Sequence, residues 1–442
     1  MTVQKTNLRR YSNYFWQYAI LIIFVLIIIV PLVTIAFGSL KTRSEYAGFP
    51  YQPPNPIRWE NYIRILSTDI FWGMLRNSLI VMVGTVVGVV FFSSLADFIG
   101  PKLLYLGSMS VGAVLSLAFA LFARDYLSGL ILYTLVGVSL GGTYTTGLMI
   151  LAGHYPVQRR GMAIGSFIAS TSFGYALSLV LSGIALPLGG YRLAFLITCL
   201  GPMAGSILGW ISLMKTQVQV ENRQKQQRFV KEVLENRPAM LLIGSYTFHS
   251  WELLGMWAWT PAFLASCFVF SGAEGLKAAG WGSYINALFH VTGLFASFSM
   301  GMLSDRLGRA RVILILSALS GACSFVFGWS IGWPLVLVIG IGLIYGFSAL
   351  GDSPVLSAGL TEVVRTSYVG AAFGLRSLVG FGAGALSPLV FGAILDWTNP
   401  TVSGMQRSTW GWAYSVLGLG GVFAAVAAHR LGKIQAKDKR NV

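Results

Sequence analysis

Charge is scarce in this sequence of 442 residues: Asp, Glu, Lys and Arg make up 10% of it, whereas hydrophobic residues make up 55%. An average soluble domain carries charge at roughly 25% of its positions. The apolar runs repeatedly reach the ~20 residues that a helix needs to cross a bilayer. The scarcity of charge therefore argues against a soluble protein and predicts an integral membrane protein.

Cysteine and histidine are also rare. Cys199, Cys267 and Cys323 lie in or beside apolar runs without C-x-x-C spacing, which is typical of buried small apolar residues. The four histidines form no cluster with metal-ligand spacing, and no Ser, His and Asp arrangement indicates hydrolysis. The phosphate-binding pattern G-x-x-x-x-G-K-[ST] is missing too. We therefore expect no metal, no cofactor and no enzymatic activity.

The predicted fold class is an all-α integral membrane protein with about twelve transmembrane helices in two six-helix halves. Backbone groups in lipid must be hydrogen-bonded within the protein, and these runs are too long and continuous for barrel strands. The 52 glycines favour close helix packing through small residues. The predicted spans are 17–37, 73–96, 103–123, 128–152, 162–187, 193–214, 238–267, 281–303, 312–330, 334–358, 368–394 and 411–429.

The positive charges are placed asymmetrically. The net charge of +16 is compatible with nucleic-acid binding, but most of the 31 Lys and Arg fall on one side if the spans alternate from a cytoplasmic amino terminus. That is the positive-inside pattern. We expect a multi-pass protein of the cell (inner) membrane with both termini in the cytoplasm, in contact with lipid and not with nucleic acid. The polar segment 215–237 is expected to be a solvated, lipid-facing cytoplasmic linker, with a partner-binding role as the lesser alternative.

An internal repeat divides the chain. The phrase SSLADFIGPK at 93–102 returns as GMLSDRLGRA at 301–310, which aligns Asp97 with Asp305 and Gly100 with Gly308. At nearly the same spacing, RRGMAIG at 159–165 returns as YVGAAFG at 368–374. Parallel six-helix halves are a recurrent transporter architecture, in which substrate binds near the midplane and rocking of the halves alternates access.

The second copy of the phrase resembles the loop signature of the major facilitator superfamily, G-x-L-[AS]-D-R-x-G-R-[RK]. The resemblance extends from about residue 90 to the carboxyl terminus and includes GGYRLAF at 189–195 and SPLVFGAILD at 387–396. It implies a membrane transporter that moves a small solute by alternating access, driven by a solute or proton gradient. In that family the loop controls the conformational switch, so the resemblance implies a gating role for Asp97, Gly100, Gly301, Asp305, Arg306, Gly308 and Arg309.

The first copy departs from the signature. Ser93 replaces a glycine, Phe98 replaces an arginine and Pro101 replaces another basic residue. In addition, Tyr133 stands where the family often has an arginine in its fourth span. The resemblance therefore leaves Asp97 without its usual charged partner, and we expect a weaker switch in the amino-terminal half.

The first 88 residues resemble a different class of membrane protein. They resemble the permease subunits of sugar-importing ATP-binding-cassette transporters in a P-L…S-L-K-T phrase at 31–42, an acidic residue at 45, W-E-N-Y at 59–62 and N-S-L at 77–79. The E-A-A-x-x-x-G loop that docks the ATPase in those subunits does not occur anywhere in the sequence. An ATPase partner is therefore not expected.

The sequence thus predicts a fusion of four segments. They are a permease-like segment 1–88, the remainder of the amino-terminal half 89–214, the linker 215–237, and the carboxyl-terminal half with its basic tail 238–442. Two alternatives to a working facilitator stay open: an ABC-type sugar permease subunit, and a fusion that inserts in the membrane but transports nothing.

Ionisable residues inside apolar spans are candidates for a substrate or proton path. His249 and Glu252 are three residues apart and share a helical face, so they could carry a proton; alternatively, both lie near the membrane surface or cap helices. Asp352 is either a substrate or proton site or a structural hydrogen-bonding group. Arg376 either snorkels to the cytoplasm or attracts an anion.

Aromatic residues accompany these candidates in the seventh span. Trp251, Trp257 and Trp259 either line a cavity or form an interfacial belt, and the belt is favoured. His290, in the eighth span, is expected to be a packing residue. The phrase HSWELLGMWAWTPAFL at 249–264 is similar to that of facilitators grouped with cyanate, nitrate and nitrite porters, which suggests a small anion as substrate and a proton or ion as coupling partner.

Overall fold

The fold was examined in a computed structural model that describes residues 41, 42, 45, 52–60, 63, 67, 69–217, 228–273, 275–399 and 409–438. Over these residues the chain is helical and contains no strand. The helices are α1 (Asp69–Ile99), α2 (Pro101–Phe122), α3 (Tyr126–Gly141), α4 (Tyr144–His154), α5 (Val157–Thr198), α6 (Leu200–Leu213), α7 (Arg237–Phe270), α8 (Gly275–Leu307), α9 (Arg309–Phe327), α10 (Leu335–Val363), α11 (Val369–Thr398) and α12 (Gly411–Asp438).

The predicted all-α membrane fold is confirmed. Ten helical segments among the described residues are long and apolar enough to cross a membrane, and they coincide with predicted spans three to twelve. Helices α3 and α4 together form one of them, Tyr126–His154. The second predicted span, 73–96, lies within α1, and the first, 17–37, lies outside the described residues.

One helix contains the join between two spans. Helix α5 is interrupted at Gly189 and Gly190, where the backbone leaves helical values and Gly190 takes a φ of 65°. A positive φ is readily adopted by glycine because it has no Cβ. The GGYRLAF phrase therefore separates the fifth predicted span from the sixth without a long loop.

Helix starts are defined by local side chains. At the start of α3, Asp125 accepts a hydrogen bond from the backbone N–H of Ser128 at 2.9 Å, and this bond lowers the pKa of the Asp125 carboxyl. At the start of α7, Asn236 accepts from the N–H of Ala239 at 3.1 Å, and Pro238 occupies the first turn, where its missing N–H costs nothing.

Glycines allow close helix approach, as the composition predicts. A Cβ built on Gly421 of α12 would lie 2.7 Å from the backbone nitrogen of Gly321 on α9, and one built on Gly141 of α3 would lie 2.6 Å from that of Val89 on α1. These distances are too short for any other residue. Cys199, Cys267 and Cys323 are buried and free, as expected for small core residues.

The residues of interest lie in one compact unit, formed by 76–392 and 408–442. Its apolar core includes Leu242 and Tyr246 of α7, Leu356 of α10 and Phe373 of α11. A second unit comprises residues 1–75 and 393–407. In its described part, Glu45 accepts a hydrogen bond from the Thr42 hydroxyl at 2.8 Å.

The end of the predicted linker is packed and not fully solvated as expected. A short π-helical turn, Val230–Leu234, buries Val233 in the apolar core. Glu232 lies 3.2 Å from Arg365, and Asn236 donates a hydrogen bond to the carbonyl of Val363 at 2.8 Å. The linker therefore returns to the bundle beside the end of α10 before α7 begins.

Candidate functional site

A carboxylate at the end of α8 connects the two sequence halves. Asp305 accepts hydrogen bonds from the backbone N–H groups of Gly161 and Met162, both at 2.9 Å. These N–H groups belong to the first turns of α5, where the helix dipole favours negative charge. Because α5 precedes the linker and α8 follows it, this contact joins the amino-terminal helices α1–α6 to the carboxyl-terminal helices α7–α12. We call it the Asp305 latch.

Arg309 supports the Asp305 latch from the next helix. Its Nη2 atom lies 2.6 Å from Asp305 and 2.7 Å from Glu362, and its Nη1 atom donates to Ser304 at 2.5 Å. Nη2 also donates to the carbonyl of Val157 at 3.3 Å, which adds a second contact to α5. The arginine is buried, and its charge is paired with the carboxylates of Asp305 and the partly exposed Glu362.

The degraded first copy makes the same kind of contact. Asp97 of α1 accepts hydrogen bonds from the backbone N–H groups of Gly370 and Ala371 at 2.9 and 3.0 Å. This is the Asp97 latch, and it runs from the amino-terminal helices to α11 of the carboxyl-terminal ones. The sequence predicts that Asp97 lacks its usual charged partner, and the structure shows that backbone N–H groups at a helix amino terminus bind its carboxylate.

The other predicted gating residues differ in backbone conformation and in burial. Gly100 and Gly308 have φ values of 93° and 89° and immediately precede α2 and α9, so both turns use glycine's access to positive φ. Gly301 packs on Gly161, and a Cβ on either residue would clash with the carbonyl oxygen of the other. Arg306 is exposed, in contrast to the buried Arg309.

Arg376 of α11 is buried and does not snorkel to the surface. Its Nη1 atom donates a hydrogen bond to Ser357 at 2.8 Å, whereas Nε and Nη2 have no hydrogen-bond partner among the described residues. The guanidinium carbon lies 4.0 Å from the ring centroid of Tyr246 and 5.7 Å from that of Tyr144. Phe373 contributes a third ring at 4.5 Å. The interpretation of Arg376 as a surface cation is therefore wrong.

His249 pairs with Asp352 and not with its sequence neighbour Glu252. Nδ1 of His249 on α7 lies 2.8 Å from Oδ1 of Asp352 on α10, and both side chains are buried. The alternative that His249 lies near the membrane surface is wrong. The His249 ring also packs on Tyr246, with centroids 5.5 Å apart, and Tyr246 in turn stacks on the Arg376 guanidinium.

Glu252 is buried one helical turn further along α7. Oε2 accepts a hydrogen bond from Ser320 of α9 at 3.1 Å, and Tyr345 of α10 is a second hydrogen-bonding neighbour of this carboxyl group. Ser320 also bonds the carbonyl of Ser317, whose hydroxyl donates to Asp352 at 3.4 Å. The surface alternative for Glu252 is wrong as well.

The aromatic candidates pack within the bundle. Trp259 donates from Nε1 to the carbonyl of Pro388 at 3.0 Å and stacks on Phe391 with a centroid separation of 5.2 Å. His290 is buried between Trp257 and Tyr175, at 5.1 and 4.7 Å. His290 is thus in the packed environment that the sequence predicts. Trp259 fills space between α7 and α11.

The residues that surround Arg376 and Asp352 do not form a recognisable motif in the sequence. Tyr144, Ser317 and Ser357 lie on three different helices and reach the site only through tertiary packing. Two residues of the site could have been found from their sequence spacing. Phe373 precedes Arg376 by three residues and Tyr246 precedes His249 by three, so each shares a helical face with its charged neighbour.

Comparison with known proteins identifies the class. A family profile described as Major Facilitator Superfamily matches residues 77–281. The 4-hydroxybenzoate transporter PcaK of Pseudomonas aeruginosa is 23% identical over 376 residues, which cover 76% of this chain and 80% of the relative. A gallate transporter of Pseudomonas putida is 26% identical over 353 residues, covering 71% and 75%. The chain is a membrane solute transporter, and its residues 77–281 are similar to the major facilitator superfamily.

Solved structures agree with the fold of the transporter. FucP, described as a major facilitator transporter in the outward conformation, aligns with a TM-score of 0.65 at 14% identity over 92% of this chain and 99% of its own. A relative of another class, the multiple sugar-binding transport system permease protein MsmG of Streptococcus mutans, is 33% identical over 86 residues, covering 20% of this chain and 31% of its own. The alternative of an ABC permease subunit is therefore not favoured for the whole chain.

Proposed function

We propose that the transporter moves small organic carboxylates by alternating access and that Arg376 binds their carboxylate group. The observation that carries this proposal is the pair of unsatisfied N–H-bearing atoms, Nε and Nη2, on a buried guanidinium. Native proteins rarely leave such donors unpaired, because each lost hydrogen bond costs about 1–3 kcal/mol and more for a charged group. An anion that bridges the two atoms would satisfy both of them.

The rings around Arg376 favour a flat substrate. Tyr246 and Phe373 lie against the guanidinium within 4.5 Å of their centroids, and Tyr144 approaches at 5.7 Å from the amino-terminal helices. Aromatic faces stabilise a buried cation without neutralising it, so the positive charge remains available to an anion. A planar acid can present its carboxylate to the guanidinium and its ring to the tyrosines.

Two relatives favour the same class of substrate. Their printed names are those of a 4-hydroxybenzoate and a gallate transporter, and both compounds are aromatic carboxylates. Transfer of this class to the present chain is part of the proposal and refines the small anion that the sequence suggests. The proposal excludes neutral sugars as substrates, since they carry no negative charge for Arg376 to bind.

The binding proposal is tested with purified protein in detergent. Titration with benzoate and 4-hydroxybenzoate, followed by quenching of tryptophan fluorescence, should show saturable binding. The uncharged analogue benzyl alcohol and glucose should show none at the same concentrations. Equal binding of benzoate and benzyl alcohol would contradict a site built around a buried cation.

The two latches support alternating access. Both join amino-terminal to carboxyl-terminal helices at the ends of α1 and α8, where the basic loop signature lies. By the positive-inside pattern this end faces the cytoplasm. We therefore propose that the latched arrangement is the state closed to the cytoplasm, in a cell (inner) membrane with both termini inside. Release of both carboxylates from their helix ends would accompany opening to the cytoplasm.

Proton coupling is assigned to the carboxyl-terminal helices. We propose that Glu252 carries the proton and that the His249–Asp352 pair connects it to the substrate site. Ser320 contacts Glu252 and Ser317 contacts Asp352, so the two carboxyl groups lie in one buried polar cluster, and Tyr246 packs between His249 and Arg376. Loading of Glu252 would then be sensed at the substrate site through contacts that already exist.

Replacement Glu252→Gln should uncouple transport from the pH gradient. One pH unit stores about 1.4 kcal/mol per proton, enough for a roughly tenfold accumulation by the native protein. In proteoliposomes the variant should exchange labelled for unlabelled benzoate yet fail to accumulate it. Glu235→Gln, at an exposed carboxylate, serves as the matched control and should accumulate normally. Normal accumulation by the Glu252 variant would assign the proton to another group.

The amino-terminal segment has a separate origin in this proposal. We propose that residues 1–88 derive from an ABC-type permease, which the 86-residue likeness to MsmG supports. The predicted first span, 17–37, would then come from a protein of another class. An inert fusion remains the competing hypothesis: it would bind the anion at Arg376 without accumulating it, so binding and uptake together separate the two.

A further inference from the structure

A cavity of about 470 Å³ opens on the outer side of α9 and α12, at the same end of the bundle as the latches. Three basic side chains line it: Arg311 near the start of α9, and His429 and Lys433 near the end of α12. No carboxylate is among the lining residues in the part of the chain that the structure describes. The cavity therefore offers positive charge from two helices to a single anionic group.

The wall and the surface below the cavity are apolar. Leu307 and Leu314 line the cavity itself. Along α9, Ile315 and Leu319 continue the helical face of Arg311 at four-residue steps, and both are exposed by 40% or more. On α12, Val426 lies one turn before His429 and is 45% exposed. In a membrane protein such a stripe faces lipid chains.

We propose that this cavity binds one acidic phospholipid of the cytoplasmic leaflet, with its phosphate headgroup between Arg311, His429 and Lys433. A phosphate accepts hydrogen bonds from guanidinium, imidazole and ammonium groups alike. The acyl chains would lie along Ile315, Leu319 and Val426. This combination of a cationic cavity and an apolar stripe favours a lipid over a free anion, because a free anion has no acyl chain to pack on the stripe.

A lipid bound in this cavity would lie next to the turn that carries the Asp305 latch. Leu307 and Gly308 line the cavity and connect α8, which carries Asp305, to α9, which begins with Arg309. A headgroup bound in the cavity would contact the turn between α8 and α9, on the face opposite to the Asp305 latch. The inference goes beyond the proposed substrate and rests on the proposed orientation, because acidic lipids attract basic residues most strongly at the cytoplasmic surface.

Native mass spectrometry of the purified full chain tests the proposal. The probes are dioleoyl phosphatidylglycerol and dioleoyl phosphatidylcholine added to delipidated protein. We expect one tightly bound phosphatidylglycerol and at least ~10-fold weaker binding of phosphatidylcholine at this site. The triple variant Arg311→Gln, His429→Gln, Lys433→Gln should weaken the first phosphatidylglycerol by at least ~10-fold. Arg237→Gln, Arg430→Gln, Lys437→Gln removes three exposed basic residues outside the cavity and should leave it within about twofold of the native protein.

Three results would overturn the proposal. They are an unchanged first phosphatidylglycerol in the cavity variant, equal binding of the two lipids, or displacement of the lipid by inorganic phosphate at millimolar concentration, which would make the site one for free anions. If the triple variant fails to fold, Lys433→Gln alone should weaken binding by at least ~3-fold, and no change would again refute the site. Benzoate binding is measured in parallel, so that failure of the lipid site is distinguishable from failure of the transport site.

Discussion

The variant Arg376→Gln should lose benzoate binding, with an affinity at least ~30-fold below that of the native protein, because truncation of one partner of a buried charge pair costs about 2–5 kcal/mol. Glutamine has one amide nitrogen, so the substitution removes the charge and both of the unpaired nitrogen atoms, Nε and Nη2. Uptake should fall by the same factor or more. The effect is the largest that a single substitution in this site is expected to produce.

Arg376→Lys separates charge from geometry. Lysine retains the positive charge but cannot present two parallel N–H groups to a carboxylate or stack flat on Tyr246. We expect binding between that of the native protein and that of the glutamine variant. Arg192→Gln, at an exposed arginine in the amino-terminal helices, is the matched control and should bind normally. Native affinity in Arg376→Gln, with a melting temperature close to native, would exclude Arg376 from the substrate site.

The second large effect concerns the latches. Asp305→Asn should shift the conformational equilibrium toward the state open to the cytoplasm by at least ~10-fold, since a hydrogen bond to a charged group contributes about 1.5–3 kcal/mol and Asp305 accepts two from α5. Asp97→Asn should act in the same direction. The shift should be smaller, because Arg309 adds its contact with Val157 to the Asp305 latch alone.

The equilibrium is measured by the distance between spin labels on the two sets of helices. Cysteines at Gln158 of α5 and Arg306 of α8, both exposed, report on the latched end in a background without the three native cysteines. The native protein should show mainly the short distance, Asp305→Asn a mixture, and the Asp97→Asn, Asp305→Asn pair mainly the long one. Asp125→Asn lies outside both latches and should match the native protein. An unchanged distance distribution in the pair would show that the latches do not hold this end closed.

Sequence reasoning located the helices and the repeat well, because apolar length and a repeated phrase are local properties. It placed Asp97 and Asp305 as equivalent gating residues, and the structure gives them equivalent partners, Gly370 and Gly161, at the starts of two equivalent helices. For Asp97 the sequence showed that the usual charged partner is missing, but it could not show the backbone N–H groups that bind the carboxylate. A backbone N–H carries no residue-type signal.

The partners of the buried charged residues could not be predicted from the sequence. His249 and Glu252 share a face of α7, and their spacing predicted a pair, yet His249 contacts Asp352, which lies about a hundred residues later in the chain. Likewise Arg376 lies near the end of a predicted span, where snorkelling is common, but Tyr144, Tyr246 and Phe373 enclose it. Which helices pack against α7 and α11 decides both outcomes, and that information is spread over the whole chain.

The two latches also explain how a degraded signature can persist. Pro101 replaces a basic residue at the position that corresponds to Arg309, and proline is well accommodated in the first turn of α2. Ser93 replaces a glycine, but Gly370, the counterpart of Gly161, is kept, and a Cβ on it would clash with the Ser93 carbonyl oxygen. The close approach of the two helices is therefore retained with one glycine instead of two.

The central claim is that this chain accumulates an organic carboxylate through the site at Arg376, at the expense of a proton gradient. The most direct test is uptake of radiolabelled 4-hydroxybenzoate into proteoliposomes with an imposed pH gradient. The native protein should accumulate the label, an uncoupler should discharge it, and Arg376→Gln liposomes should match protein-free ones. Uptake that is equal in native and Arg376→Gln liposomes, or binding without any accumulation by the native protein, would contradict the claim.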